Sequence, residues 1–328
     1  MRKRPSFVKV KMNSVNNNQT PPPGLSDVAR LGVMSGLAAY CIWGSFPVFF
    51  KALAGAAPLE IVCHRIVWSV VFLFALVTIR RQLGQVIKTL GNRQNLLMLC
   101  GSTLLIATNW LVFIYAVQHD EVLQSSLGYF ITPLISILLG FVFLQERLNR
   151  WQLFSVLLAL IGVLTLAFHH SQFPWIALAL ATSFGLYGLL RKLVKVEAMI
   201  GLTVETLLLG PAALAYLIYL ATHQENAFLA GTVRLDLLLP LSGVVTAIPL
   251  LLFVAAARRL QLATIGFLQY ITPSLHFILA VGLYHEPFSH GHLISFLFIW
   301  TGLGIYSGNA LWKNRTARRS RKQNVAAS

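Results

Sequence analysis

The sequence predicts an all-α polytopic membrane protein of ten transmembrane helices, arranged as two five-helix repeats of opposite orientation. Three observations carry this expectation. The 328 residues are 56% hydrophobic and only 11% charged, with a mean hydropathy of +0.70, whereas a soluble globular chain carries about 25% charged residues to hydrate its surface. The apolar residues form continuous runs of membrane-crossing length, not the alternation of a β-barrel. The basic residues fall almost wholly in alternate loops and in the tails. A formal net charge of +16 first suggests a nucleic-acid binder, but such a protein presents Lys and Arg as a face on a soluble fold. The expected partner is the lipid bilayer, with no nucleic acid.

Taken in order, residues 1–31 read as a disordered, basic cytoplasmic tail. Arg2, Lys3 and Arg4 resemble the start of a signal peptide, but Asn13 to Gln19 and Pro21 to Pro23 leave no apolar core behind them. Spans are then expected near 32–51, 60–79, 96–117, 123–144, 151–168, 174–190, 198–220, 236–256, 262–284 and 292–311. Each approaches the roughly 20 residues that cross about 30 Å of hydrocarbon, and only tight loops remain between them. The first repeat occupies 32–170, the second 171–312, and 313–328 form a second basic cytoplasmic tail.

Charge fixes the orientation. Loops on the N-terminal side hold Arg80, Arg81, Lys88, Arg93, Arg147, Arg150, Arg191, Lys192, Lys195, Arg258 and Arg259. With these eleven and six in each tail, twenty-three of the 26 basic residues lie on one side. The opposite loops carry Lys51 and Arg234, and Arg65 lies within a span. Lys and Arg concentrate on the cytoplasmic side, so both termini are expected inside and the number of spans is even.

The repeat is read from an offset of 140 residues. Phe130-Ile131-Thr132-Pro133 recurs as Tyr270-Ile271-Thr272-Pro273, and the same offset maps Glu146 onto Glu286, Phe113 onto Phe253 and Ala116 onto Ala256. An offset of 141 maps Gly44 onto Gly185 and Lys51 onto Lys192. Five spans per repeat is odd, so equivalent loops face opposite compartments and should differ in charge. They do: Gln118-His119-Asp120-Glu121 aligns with Arg258-Arg259-Leu260-Gln261, and Arg147 and Arg150 align with Pro287 and His290. Inverted repeats build transporters with a midplane site at the repeat interface.

Candidate site residues follow from polarity inside the spans. Pro133 and Pro273 each remove a helix hydrogen bond and are candidate hinges, or static bends. Arg65 and Glu205 are the Lys, Arg, Asp or Glu residues well inside spans, at matched positions with opposite charge. A lone charge facing lipid costs several kcal/mol, so each should face the interior. They are read either as a structural ion pair or as a substrate clamp, with Arg65 for an anionic group and Glu205 for a cation or a coupling proton. Arg65 also lies close enough to the outer interface to snorkel. Tyr40, Trp43, Asn109, Trp110 and His276 are the other polar or amphipathic groups within spans. Cys41, Cys63 and Cys100 are read as small buried hydrophobes, because no CxxC pair or metal-ligand spacing accompanies them. No catalytic motif, metal site, cofactor site or P-loop is present in the sequence.

Ala39-Tyr40-Cys41-Ile42-Trp43-Gly44, His64-Arg65-Ile66-Val67-Trp68-Ser69 and Asn109-Trp110-Leu111 resemble the EamA family of the drug/metabolite transporter superfamily. Ser126-Leu127-Gly128-Tyr129-Phe130 before Pro133, Glu146-Arg147, Val196-Glu197-Ala198 with Glu205-Thr206, and Gly266-Phe267 with Gln269-Tyr270 narrow this to the RarD group, whose members are labelled chloramphenicol-sensitive proteins. The resemblance runs from about Leu31 to Trp312. It implies ten helices in two inverted repeats around a central cavity, a bacterial inner-membrane location, and ATP-independent export or permeation of small metabolites or drugs. It also implies a cavity lined by the first, third, fourth, sixth, eighth and ninth spans, with Trp43, Asn109, Tyr129, Gln269 and Tyr270 as wall residues, and is silent on Arg65 and Glu205. Two other functions stand beside the transporter: an intramembrane enzyme acting on a lipid-linked substrate, and a non-transporting membrane sensor or assembly factor. The enzyme needs a reactive polar pair at one membrane face, which the sequence does not display.

Overall fold

The computed structural model describes residues 25–145, 150–169, 173–230, 232–257, 259–260 and 268–326. Among the described residues the chain is helical, without strands. The first apolar run divides at Ser45 into α1 (Leu25–Gly44) and α2 (Phe46–Lys51), and Pro47 in the first turn of α2 is pre-set for a new helix start. α3 (Pro58–Ile79) likewise opens on proline. The loop expected over residues 80–95 contains a further helix, α4 (Leu83–Leu90). It buries Val86 and Thr89 and leaves Gln85, Ile87, Lys88 and Leu90 exposed.

α5 (Arg93–Gln118) starts under a cap in which the Asn92 side chain accepts from the Asn95 amide at 2.9 Å, the usual use of Asn before a helix. α6 (Val122–Leu144) runs unbroken through Pro133 and stops where Gln145 turns left-handed. α7 (Arg150–His169), α8 (Trp175–Leu193), α9 (Ala198–Thr222) and α10 (Val233–Ala257) lie within a few residues of their expected spans. The ninth span differs from expectation. The chain breaks at Tyr270, α11 (Ile271–Ile278) begins there, and it finishes in a π turn, Leu279–Leu283. Pro273 therefore sits in a first turn, where its missing amide costs little, whereas Pro133 sits in a helix interior. α12 (His290–Ala326) continues well beyond the expected end at 311. Its 37 residues reach roughly 55 Å.

Seven helices among the described residues are long and apolar enough to cross a membrane, α1 and α2 together making the first. The apolar parts of α7 (150–165) and of α11 with its π turn (271–283) are shorter. Glu146, Arg147, Gly266 and Phe267 of the family-like motifs, the N-terminal residues 1–24 and the start of the ninth span lie outside the described residues. One burial expectation fails: Cys41 is exposed on the side of the bundle and Cys63 alone of the three thiols is buried.

The bundle packs α3 against α9 and α10, α5 against α8, α6 against α8 and α11, α1 against α10 and α11, and α7 against α12. Small residues set these contacts. A Cβ on Gly128 would stand 2.7 Å from the Ala177 carbonyl oxygen, so α6 and α8 touch backbone to backbone there. At Gly243 a Cβ would meet the backbone of Trp68 and Ser69 on α3, the nearest atom at 2.5 Å. The α7–α12 seam is reciprocal. A Cβ on Gly162 would stand 2.9 Å from the Ser295 carbonyl oxygen, and one on Gly302 would stand 2.9 Å from that of Ser155.

Candidate functional site

Apolar helices leave few places for polar side chains, and a buried polar group must be bonded or it costs stability. The polar groups accordingly gather where α1, α5, α6, α8 and α11 meet. Asn109 on α5 is buried and donates from Nδ2 to the Leu180 carbonyl at 3.1 Å and to Ser183 Oγ at 3.0 Å, both on α8. Its Oδ1 accepts from the Tyr129 hydroxyl at 3.2 Å. Across from them His276 on α11 places Nε2 3.2 Å from the Trp43 carbonyl on α1. A carbonyl can only accept, so that contact places the ring proton on Nε2 and leaves Nδ1 facing Ser125 Oγ at 3.4 Å. Phe113 stacks on His276 with ring centroids 5.4 Å apart, and Tyr129 meets His276 edge-on at 5.7 Å.

The same neighbourhood ties the chain around Pro273. Ser126 Oγ donates to the Pro273 carbonyl at 2.8 Å, and Thr272 Oγ1 donates to the Tyr40 carbonyl at 3.0 Å. The start of α11, just after the break at Tyr270, is thus tied to both α6 and α1.

Arg65 and Glu205 do not meet. Arg65, 4% exposed, donates from Nε to Thr246 Oγ1 at 2.7 Å. Its guanidinium lies 4.1 Å from the Trp110 ring centroid, with the Phe50 and Phe46 rings at 5.3 and 5.7 Å. That burial excludes snorkelling. Glu205 pairs with Arg191 on α8, Nη1 to Oε1 at 3.7 Å, and accepts from Ser102 Oγ at 2.6 Å and the Tyr187 hydroxyl at 3.2 Å. The two charges stand at opposite ends of an aromatic chain. It runs from Tyr187 through Phe184, Tyr129 and Phe113 to Phe50, with neighbouring ring centroids 5.9 to 6.2 Å apart.

Of the residues singled out in the sequence, Trp43, Asn109 and Tyr129 converge on one cluster. Arg65 and Glu205 terminate it. Tyr270 turns away, stacking on Phe130 at 6.4 Å, and Gln269 stands half-buried just before the break at Tyr270. His276 belongs to the cluster and was not among the expected wall residues. Its counterpart at the 140-residue offset is Ser136, so the repeat gives no signal for it.

A second polar group closes one end of the bundle. Lys51 pairs with Asp120 and lies 4.4 Å from the Tyr284 ring centroid. Glu286 accepts the amides of Val122 at 2.8 Å and Leu123 at 2.7 Å. These are unpaired donors at the start of α6, the favoured place for a carboxylate. Burial nonetheless pushes the Glu286 carboxyl up to about 7, with Glu121 and Asp120 adding to the rise against those two amide bonds. Among the described residues no group of three His, Cys, Asp or Glu side chains is placed to hold a metal.

A model of the EamA-like transporter family matches residues 30–168. An uncharacterized transporter of Vibrio cholerae is 45% identical over 293 residues, 89% of this chain and 97% of that protein. Protein RarD of Escherichia coli K12 is 44% identical over 87% of this chain and 97% of its own length. The chloramphenicol-sensitive protein RarD of Pseudomonas aeruginosa is 34% identical over 83% and 92%. One crystal structure shares the fold at a TM-score of 0.56 and 16% identity, covering 84% of this chain and 96% of its own.

Proposed function

The chain belongs to the EamA-like transporter family, and from that premise we propose that it is a secondary transporter moving a small polar or amphipathic metabolite or drug by alternating access. The membrane is the bacterial inner membrane, and both termini are cytoplasmic. The observation that carries the reading is the cluster of Asn109, Tyr129, His276 and the Trp43 carbonyl. It brings hydrogen-bonding groups from both halves of the chain to one place inside an otherwise apolar bundle. Curated relatives named as transporters support it.

Ten spans in two inverted repeats are part of the same proposal, and helix pairing supports them. Exchange of the halves turns the α6–α8 contact into α11–α1, and the α5–α8 contact into α10–α1. Residues agree with that exchange. Ile135 lies over Gly185, and its partner at the 140-residue offset, Leu275, lies over Gly44. Ser155 and Gly162 map by the same offset onto Ser295 and Gly302, their own contact partners crosswise. Each buried charge also bonds a hydroxyl on the third span of the opposite half, Arg65 on Thr246 and Glu205 on Ser102.

In this reading Trp43, Asn109, Tyr129, Gln269 and Tyr270 line the path, and Pro133 and Pro273 are its hinges. Glu205 is the group assigned to a coupling proton, exchanging Arg191 for that proton. Single cysteines at positions 129 and 269, in a variant lacking Cys41, Cys63 and Cys100, test the path. A membrane-impermeant maleimide should reach them from each side of the membrane. Failure to react from both sides would mark a sealed interior, as in a sensor or assembly factor.

A further inference from the structure

We propose that Arg65 is the anion subsite of the transport path, and that the cargo is a small monocarboxylate carried on a flat apolar body. The proposal rests on the transporter reading and names its substrate class.

The argument begins with an imbalance. Glu205 and Arg65 occupy matched places, yet only Glu205 has a counter-charge, Arg191. Among the described residues no carboxylate lies within ion-pair distance of Arg65, and a single hydrogen bond, from Nε to Thr246, is made by its guanidinium. Thr246 donates its own proton to the Ser242 carbonyl at 2.7 Å. Its oxygen is thereby turned to receive Nε, which orients the guanidinium without neutralising it. Trp110, Phe50 and Phe46 attract the cation through their ring faces, and they too leave the charge whole. The two terminal nitrogens have no hydrogen-bond partner among the described residues. Unlike Nη1 of Arg191, they are not wholly sealed, although Arg65 as a whole is only 4% exposed.

A buried charge without a partner is strongly unfavourable. An anion presented to the free edge of the guanidinium removes that cost. The planar fork matches a carboxylate with two parallel hydrogen bonds. One positive charge balances one negative charge, so a monocarboxylate is neutralised, whereas a phosphate monoester would bury a second, unpaired charge. Beyond the fork the walls are rings: Phe50 leads to Phe113, and Phe113 to Tyr129 and His276. Tyr129 is close enough to Arg65 to interact with it electrostatically. A flat apolar body extending from the carboxylate would stack along these rings.

The test uses the full chain in lipid nanodiscs and three probes of one shape: 3-phenylpropionate, 3-phenylpropanol and 3-phenylpropylamine. Binding is read by calorimetry. The wild type should bind the carboxylate at least about tenfold more tightly than the alcohol or the amine, the effect of one good charge-assisted contact. Arg65→Gln should erase that preference and Arg65→Lys should keep part of it. Thr246→Val keeps the charge and releases its orientation, so it should weaken carboxylate binding several-fold while preserving the preference. Equal binding of the three probes, a preference that survives Arg65→Gln, or no binding of any probe by the wild type would each overturn the proposal. None of these would touch the transporter reading, which stands or falls on access to positions 129 and 269.

Discussion

Replacing Arg191 with Met tests whether Glu205 is held as a charged group. The variant keeps the apolar stem and removes the guanidinium 3.7 Å from Glu205 Oε1. Glu205, 1% exposed, would then be a buried carboxylate supported only by Ser102 and Tyr187. Its escape is protonation. From an ordinary Glu value of about 4.3, taking up a proton at pH 7 costs about 3.7 kcal/mol, and at pH 5 about 1 kcal/mol. These figures cap the penalty, and the first agrees with the roughly 3–5 kcal/mol typical of a broken buried pair. Equilibrium unfolding in mixed micelles, followed by tryptophan fluorescence, should therefore find Arg191→Met destabilised by about 3–4 kcal/mol at pH 7 and by about 1 at pH 5. Adding Glu205→Gln should restore most of the loss at pH 7. A penalty below about 1 kcal/mol at both pH values, or one that does not change with pH, would refute a charged pair.

Three further outcomes are expected. Gly243→Ala forces a Cβ into the backbone of Trp68 and Ser69 and should cost about 1–3 kcal/mol, with Gly210→Ala, whose nearest neighbour is Val70 at 3.6 Å, as the tolerated control in the same unfolding assay. Tyr129→Phe leaves Asn109 Oδ1 without its donor and should cost roughly 1 kcal/mol of stability; no loss would mean that the bond is not made in the membrane. Glu286 has a folded value, about 7, above its ordinary one. Its contribution to stability is thus full below the ordinary carboxylate range and is lost as pH rises through 7. Melting curves from pH 5 to 8 should fall more steeply for the wild type than for Glu286→Gln, by a few degrees, and parallel curves would contradict this.

Much of the helix layout was legible because continuous apolar runs act locally. α5, α9 and α10 begin and end within three residues of the expected limits. α4 was missed because its eight residues are too few for a span and its apolar side is narrow. The end of α12 was missed because polar, basic residues past 311 continue a helix that hydropathy alone cannot follow. At the site, Asn109 stood out as an amide among apolar residues, and Arg65 and Glu205 as charges within spans. Their partners did not stand out. Thr246, Ser102 and Arg191 lie 181, 103 and 14 residues away from the groups they bond, and hydroxyls at such separations carry no local pattern. His276 was visible as a polar residue, but only the arrival of the Trp43 carbonyl gives it a place.

The crosswise meeting of Ser155 with Gly302 and of Gly162 with Ser295 has a bearing on how the chain can be divided. α7 and α12 each bring one glycine notch and one serine carbonyl to the seam, and the two contacts have the same closest approach, 2.9 Å. A gene cut near codon 170 would yield fragments that each keep an unfilled notch. Such fragments should co-purify when made together. Made singly, each lacks the carbonyl that fills its notch.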